Sequence, residues 1–311
     1  MGKIKAICIS EKKGTQKKEV AQAFLQENWG IVGDAHGGNW HRQVSMLSFE
    51  KIEDFRQQGA EVEFGAFGEN LVVEGFDLSQ IPVGTCFQIG NAVLKLTQIG
   101  KECHSHCEIY QVMGDCIMPR EGVFTEVLTG GSIKPGAEIH MLPLAKDRPF
   151  TAAVITLSDK GASGEREDKS GPLIQEMLEK QEYEVVEKLL LPDDRKTLER
   201  QLCRLADQRQ VNLILTTGGT GFAKRDVTPE ATMAVCDRMA MGIADAIRQY
   251  SLTITGRAML SRAVSGIRKS TLIVNLPGSP KAVKESLEYV LPHLKHGLGL
   301  LRGTDQECGG V

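Results

Sequence analysis

After Pro149 the chain alternates short aliphatic runs with helical repeats, and that alternation narrows the fold more than any other feature of its 311 residues. Runs at 151–157, 184–191, 211–217 and 271–276 are rich in β-branched and aliphatic residues. Between them Leu198, Leu202 and Leu205 recur at i, i+4 and i+7. Val283, Leu287, Val290 and Leu294 do the same over three turns. Strands that are apolar on both sides need cover on both faces, and helices with one apolar stripe supply it. The pattern predicts a three-layer α/β domain with a mostly parallel sheet.

The first 142 residues read differently. Short strand-like runs at 4–9, 44–49, 86–89 and 92–99 are separated by glycine and turn residues, with one helical stretch at 48–58. This predicts a β-rich, barrel-like domain. Between the two textures lies a polar stretch bracketed by Pro143 and Pro149, which reads as a linker. The expected organisation is therefore 1–142, a linker at 143–149, a second domain at 150–303 and a tail at 304–311. Hydrophobic residues make up 41%, enough for two cores, and the net charge is −3. Neither half carries the basic surplus that nucleic-acid binding requires. No apolar run reaches the roughly 18 residues of a membrane span. No signal-type apolar segment follows Met1-Gly2-Lys3. These features predict a cytoplasmic protein, whose eight cysteines are reduced thiols.

In open parallel sheets, ligands bind beyond the carboxyl ends of the strands. The four expected strands run into Ser158-Asp159-Lys160-Gly161, Pro192-Asp193-Asp194, Gly218-Gly219-Thr220-Gly221 and Asn275-Leu276-Pro277-Gly278-Ser279. All the conspicuous polar and glycine-rich segments of this half thus fall on one edge of one sheet. The glycine cluster would let backbone amides approach phosphates, though it is neither a P-loop nor GxGxxG. Its plainer reading is a tight strand-to-helix turn. Asp193 and Asp226 are candidates to hold a magnesium ion that bridges phosphates. Each also precedes a helical pattern and would serve equally as an N-cap. Gly278-Ser279-Pro280 suits either an anion site at a helix N-terminus or a simple cap.

In the first half, Gly33-Asp34-Ala35-His36-Gly37-Gly38 and His41-Arg42 stand out, as do Lys101, Cys103, His104, His106, Cys107, Cys116 and Arg120. The Cys/His cluster invites a zinc reading, but standard zinc ligands come in two separated pairs. A reactive thiol at Cys103 or Cys107 fits better, because positive neighbours favour the thiolate. Cys8 and Cys86 lie in apolar strand-like runs and are expected to be buried and inert.

Read in order, Thr156-Leu-Ser-Asp-Lys-Gly, Asp168-Lys-Ser-Gly-Pro172, Leu191-Pro-Asp193, residues 216–230 (TTGGTGFAKRDVTPE), Leu260-Ser-Arg-Ala263 and residues 275–281 (NLPGSPK) resemble the molybdopterin adenylyltransferase family. The resemblance implies a three-layer α/β fold, usually trimeric. It also implies transfer of AMP from ATP to the terminal phosphate of molybdopterin, with magnesium required and pyrophosphate released. The family's catalytic aspartates would be Asp193 and Asp226. Ser158, Asp159, Gly218, Gly219, Thr220, Gly221, Asn275, Pro277, Gly278 and Ser279 would line the nucleotide and pterin pocket. The motifs of residues 3–142, with Phe67-Gly-Glu-Asn-Leu71 and Pro82-Val-Gly84, resemble the MOSC domain. That likeness implies a sulfur carrier or cofactor binder, with Cys103 or Cys107 as the functional thiol. Molybdenum-insertion and sulfur-transfer proteins are the partners implied. Three rival readings remain open: a pterin-binding module without turnover, a maturation factor dominated by the first half, and a general nucleotide hydrolase on the same fold.

Overall fold

The computed structural model describes residues 1–102 and 115–305. The chain divides into two compact units, Met1–Ala145 and Lys146–Val311.

The first unit contains strands β1 (Gly2–Ile9), β2 (Lys18–Glu19), β3 (Ala23–Gln26), β4 (Gly30–Ile31), β5 (Val44–Ser48), β6 (Leu71–Glu74), β7 (Cys86–Ile89), β8 (Ala92–Ile99), β9 (Val123–Thr129), β10 (Gly131–Ile133) and β11 (Glu138–Leu142). Helices α1 (Phe49–Gln57) and α2 (Met118–Glu121) interrupt them. Seven strands form a closed barrel in the order β11-β7-β8-β9-β5-β6-β1, because β11 pairs back onto β1. Closure leaves these strands no open edge. The β5–β6 pair is parallel, and the other pairs in the ring are antiparallel. A register shift in β1 between Ile4 and Ala6 changes which face each residue takes. Ile4 and Ile7 thereby enter the same interior as Met46, Leu71, Phe87 and Leu94. Ala6 and Cys8 instead join Leu47, Ile52, Phe55 and Val72, the layer beneath α1.

A polar cluster is buried in this unit. Lys17 and Asp34 form an ion pair with each side chain only 3% exposed. Asp34 also accepts from the Ser10 N–H (3.2 Å), the His36 N–H (2.8 Å) and Asn70 Nδ2 (2.9 Å). Burial works to raise its pKa, yet the His36 and Lys17 hydrogen bonds hold the carboxyl far below the usual range. Close by in sequence, Glu69 is fully buried. Its Oε1 accepts from the Gly65 N–H at 2.7 Å, and Oε2 has no hydrogen-bond partner among the described residues. Burial pushes the Glu69 carboxyl up to about 7.

The second unit runs β12 (Thr151–Leu157), α3 (Asp159–Ala162), α4 (Ser170–Lys180), β13 (Glu184–Leu191), α5 (Arg195–Cys203), β14 (Leu213–Thr217), α6 (Thr228–Val235), β15 (Arg238–Met239), α7 (Met241–Leu252), β16 (Ser265–Arg268), β17 (Thr271–Leu276) and α8 (Pro280–Arg302). The sheet order is β13-β12-β14-β17-β16-β15. Successive residues of β12 face opposite sides. Ala152 and Val154 pack with Ile174, Ile247 and Leu287 of α4, α7 and α8. Ala153 and Ile155 pack with Leu198, Leu202 and Ala231 of α5 and α6. Both faces are covered, as the uniformly apolar strands require.

The sheet is mostly parallel, as expected, with an antiparallel edge that makes it mixed. β13, β12, β14 and β17 are parallel, whereas β16 and β15 run antiparallel. β16 joins β17 by a two-residue turn in which Lys269 has φ +50°. Ser265-Gly266-Ile267-Arg268 is too short to show an apolar run in the sequence. The leucine repeat of α5 also ends earlier than its period suggests. The helix stops at Cys203, and a wider turn over Arg204–Gln208 continues to bury Leu205 and Ala206.

Candidate functional site

The chain leaves β12 toward β13 on one side and returns as β14 on the other. That reversal opens the crevice where open α/β sheets take ligands. The segments after β12 and β14, Ser158-Asp159 and Gly218–Gly221, therefore flank it. The ends of β13 and β17 add Asp193 and Pro277-Gly278 along the same edge.

The loop after β14 needs its glycines. Gly218 and Gly219 have φ +98° and +64°, a left-handed region that penalises other residues. A Cβ on Gly219 would collide with Thr228 Oγ1 and sit 3.4 Å from Asp193 Oδ1. One on Gly221 would sit 2.9 Å from Asp226 Oδ2. The bare backbone of the loop is thus wedged between the two candidate aspartates. Thr228 fastens it by donating from Oγ1 to the Gly218 carbonyl (2.9 Å) and from N–H to the Gly219 carbonyl (3.1 Å).

Neither aspartate caps the helix that follows it. The cap of α5 is Asp194, which accepts from the Thr197 N–H at 2.8 Å. Helix α6 begins after Val227 with no side-chain cap. Asp193 instead braces Asp159. Its Oδ2 accepts the Asp159 N–H at 2.9 Å, and Asp159 Oδ1 accepts the Asp193 N–H at 3.0 Å. Asp226 Oδ2 accepts from the Ala223 N–H at 2.8 Å, closing the turn after the glycines. Burial raises the Asp193 pKa, and the charges of Asp159 and Asp226 add to the effect. Asp159 moves the other way, because Arg225 holds it in a two-pronged ion pair, Nε to Oδ2 at 3.0 Å and Nη2 to Oδ1 at 2.6 Å.

Arg262 fixes the other side of the loop. Its side chain donates to the Gly221 carbonyl (2.6 Å), the Asp226 carbonyl (2.5 Å) and the Glu230 carboxylate, and its N–H donates to the Thr220 carbonyl (2.9 Å). Thr220 itself is buried. Ser158 is buried as the cap of α3, accepting from Gly161 N–H (3.0 Å) and Arg166 (2.9 Å). Asp168 accepts from Thr156 Oγ1 (2.7 Å) and caps α4 through the Ser170 and Gly171 amides (3.0 Å each). Ser170 and Thr217 donate to the carbonyls of Gly278 (3.0 Å) and Pro277 (2.6 Å), pinning that loop to the edge. Ser279 caps α8, accepting from Ala282 N–H at 3.3 Å.

Asn275 departs from its expected place in the pocket lining. It is fully buried, donates to Thr216 and Thr232 Oγ1 (2.9 Å each) and accepts from the Val264 N–H at 3.2 Å. Its amide ties β17 to β14 and α6 from inside and is a positioning residue. Sequence reasoning assigned no role of their own to Arg225, Arg262 and Asp168. All three lie inside quoted motifs, but a charge beside a glycine loop reads first as solvated surface.

Residues 153–296 match the family described as a probable molybdopterin binding domain, and residues 33–140 match the MOSC domain. The chain is 46% identical over 140 residues to molybdopterin adenylyltransferase of Escherichia coli K12, spanning 44% of this chain and 71% of that protein. The chain belongs to the molybdopterin adenylyltransferase family, with a MOSC domain fused ahead of the shared part. The molybdopterin adenylyltransferase of Helicobacter pylori J99 is 41% identical over 158 residues, 49% of this chain and 87% of that protein. Among solved structures, the molybdopterin biosynthesis enzyme MoaB of Thermus thermophilus is similar at 46% identity, covering 51% of this chain and 99% of that one, with a TM-score of 0.48.

The MOSC unit yields less. Cys103, His104, His106 and Cys107 lie outside the described residues. Cys8 is fully buried, and burial pushes its thiol far up. Cys86 is only half-buried, a correction to its expected burial, though burial raises its pKa too. Among the described residues no three His, Cys, Asp or Glu side chains are grouped to hold a metal. Nor is any described helix long and apolar enough to cross a membrane.

Proposed function

We propose that the second domain transfers AMP from ATP to the terminal phosphate of molybdopterin. The observation that carries this is the glycine loop set between Asp193 and Asp226, neither of which caps the helix that follows it. In the reaction an oxygen of the molybdopterin phosphate attacks the α-phosphorus of ATP. The bond from that phosphorus to the bridging oxygen breaks, and pyrophosphate leaves. The chain contributes position and charge. Amides of Gly218–Gly221 cradle phosphates, and Arg262 and Thr228 hold the cradle still. The Ser158-Asp159 and Pro277-Gly278 segments wall the crevice.

Magnesium fits this donor set in one way. A magnesium ion held by one or two carboxylates would complete its shell with phosphate oxygens and water. Asp193 and Asp226 would anchor it, and it would supply neutralisation of the phosphate charge. We further propose that the MOSC domain serves the same pathway as a sulfur carrier or cofactor binder. The protein is read as cytoplasmic and trimeric. Exposed Met239, Met241, Ile254, Met259 and Leu260 in the region of β15 and α7 support an assembly contact.

The test is mass spectrometry of the products formed from molybdopterin, ATP and magnesium. Adenylylated molybdopterin with equimolar pyrophosphate supports the reading. Binding of both substrates without product would make the domain a carrier.

A further inference from the structure

Arg225 stands at the mouth of the crevice with its side chain 61% exposed. Its Nε and Nη2 both donate to Asp159, whose Oδ1 accepts from Arg225 Nη2 and from the Asp193 N–H. Asp193 and Asp194 also act on the arginine through charge. One guanidinium thus holds the Asp159 carboxylate, with the charges of Asp193 and Asp194 nearby, beside the glycine loop proposed to cradle phosphates. It is the kind of group that recognises phosphate by paired N–H donors. An exposed ion pair is a weak bond, so exchanging its carboxylate for a more highly charged polyphosphate costs little.

We propose that Arg225 is a switching phosphate receptor: it rests on Asp159 in the empty site and moves its fork to the polyphosphate of the bound nucleotide. This deepens the adenylyl-transfer reading and rests on it. The transferred contact would lie on the part of the nucleotide that becomes pyrophosphate, where it offsets the charge that grows as the α-phosphorus bond breaks. Asp159 then acts as a competitor for Arg225, setting how tightly an empty site takes its ligand.

The competing idea is that the pair only pins residues 222–227 to α3. The two make opposite predictions for one variant. If the pair is a pin, Asp159→Asn and Arg225→Ala should weaken ligand binding alike. If Arg225 switches, Arg225→Ala weakens binding, whereas Asp159→Asn frees the fork and tightens it. The amide oxygen introduced by Asp159→Asn can still accept the Asp193 N–H, so the brace survives. The measurement is calorimetric titration of the full-length protein with ATP and, separately, with inorganic pyrophosphate, and circular dichroism checks the fold of each variant. Arg225→Ala is expected to weaken both by about tenfold or more, and Asp159→Asn to tighten pyrophosphate by about threefold. Arg225→Lys keeps the charge but loses the fork and should fall between. Weaker binding in Asp159→Asn, or unchanged binding in Arg225→Ala, overturns the proposal. Either result leaves adenylyl transfer itself standing if wild-type protein still forms product. Absence of product from wild type refutes the parent reading instead.

Discussion

Glu69 makes the MOSC barrel sensitive to pH in a way that can be worked out in advance. Its carboxyl is fully buried and pushed up from an ordinary 4.5 to about 7. A group whose folded pKa lies above its unfolded one holds a proton in the native state that the unfolded chain has lost. The native state is therefore favoured below about pH 4.5 and gives up that advantage as pH rises to about 7, after which the loss is complete. A shift of roughly 2.5 units corresponds to about 3 kcal/mol, of which about 2.5 falls between about pH 5 and about pH 8. Asp34 does not interfere, because its pKa is lowered and its contribution is lost only in acid. The perturbation is Glu69→Gln, which has the shape of the protonated acid and cannot ionise. Both tryptophans, Trp29 and Trp40, lie in the barrel unit, so their fluorescence during urea unfolding reports that unit. The quantity to read is the difference between wild type and variant, in which the contributions of all other titrating groups cancel. Glu69→Gln should gain on wild type by about 2.5 kcal/mol on going from about pH 5 to about pH 8. A constant difference across that range would refute the reasoning and mean that Glu69 is ionised and satisfied in the fold.

Three other outcomes follow. Asp193→Asn and Asp226→Asn should each remove most adenylyl transfer while leaving the circular dichroism of the protein unchanged; near-normal turnover at saturating magnesium would strip that residue of its catalytic role. Asp34→Asn leaves Lys17 as an unpaired buried charge, since both side chains are only 3% exposed, and should destabilise the barrel by about 3–5 kcal/mol in the same fluorescence assay; adding Lys17→Met should recover part of that loss. Light scattering of the second domain at micromolar concentration should show a trimer, and a monomer there would count against the assembly contact placed at β15 and α7.

Much of the second domain was legible because its signals are periodic. Thr151–Leu157, Glu184–Leu191 and Thr271–Leu276 are strands over the full spans their composition suggested. Apolar residues that face opposite ways along a strand leave a mark that survives without any knowledge of neighbours. The antiparallel edge left no such mark. β15 is two residues long with both side chains exposed, and β16 owes its place to the turn at Lys269 and to pairing with β17. The turn-punctuated short strands pointed to a barrel-like domain, but which strands close it was illegible for the same reason. Closure depends on β11 meeting β1 across more than a hundred residues, and only the turn signals between strands are local.

The site shows a different limit. An aspartate just ahead of a helical pattern is read as a cap because the first amides of a helix always need acceptors. At residues 193 and 194 two aspartates compete for that duty, and composition cannot say which one wins. The fold decides it through Thr197: Asp194 is in reach of its N–H, and Asp193 is turned back toward Asp159. The surplus carboxylate is the informative one. Burial and two neighbouring carboxylates raise its pKa, the Asp159 N–H and the charge of Arg225 offset part of that, and a bound cation would offset more. Asn275 shows the reverse. Its motif suggested contact with a ligand, yet its amide is engaged by Thr216, Thr232 and Val264. Motif membership therefore does not separate residues that touch substrate from residues that hold the cradle. The hydrogen-bond account of each polar group does: Asp193 and Asp226 each keep one carboxylate oxygen outside any hydrogen bond among the described residues, while Arg225 spends Nε and Nη2 on Asp159.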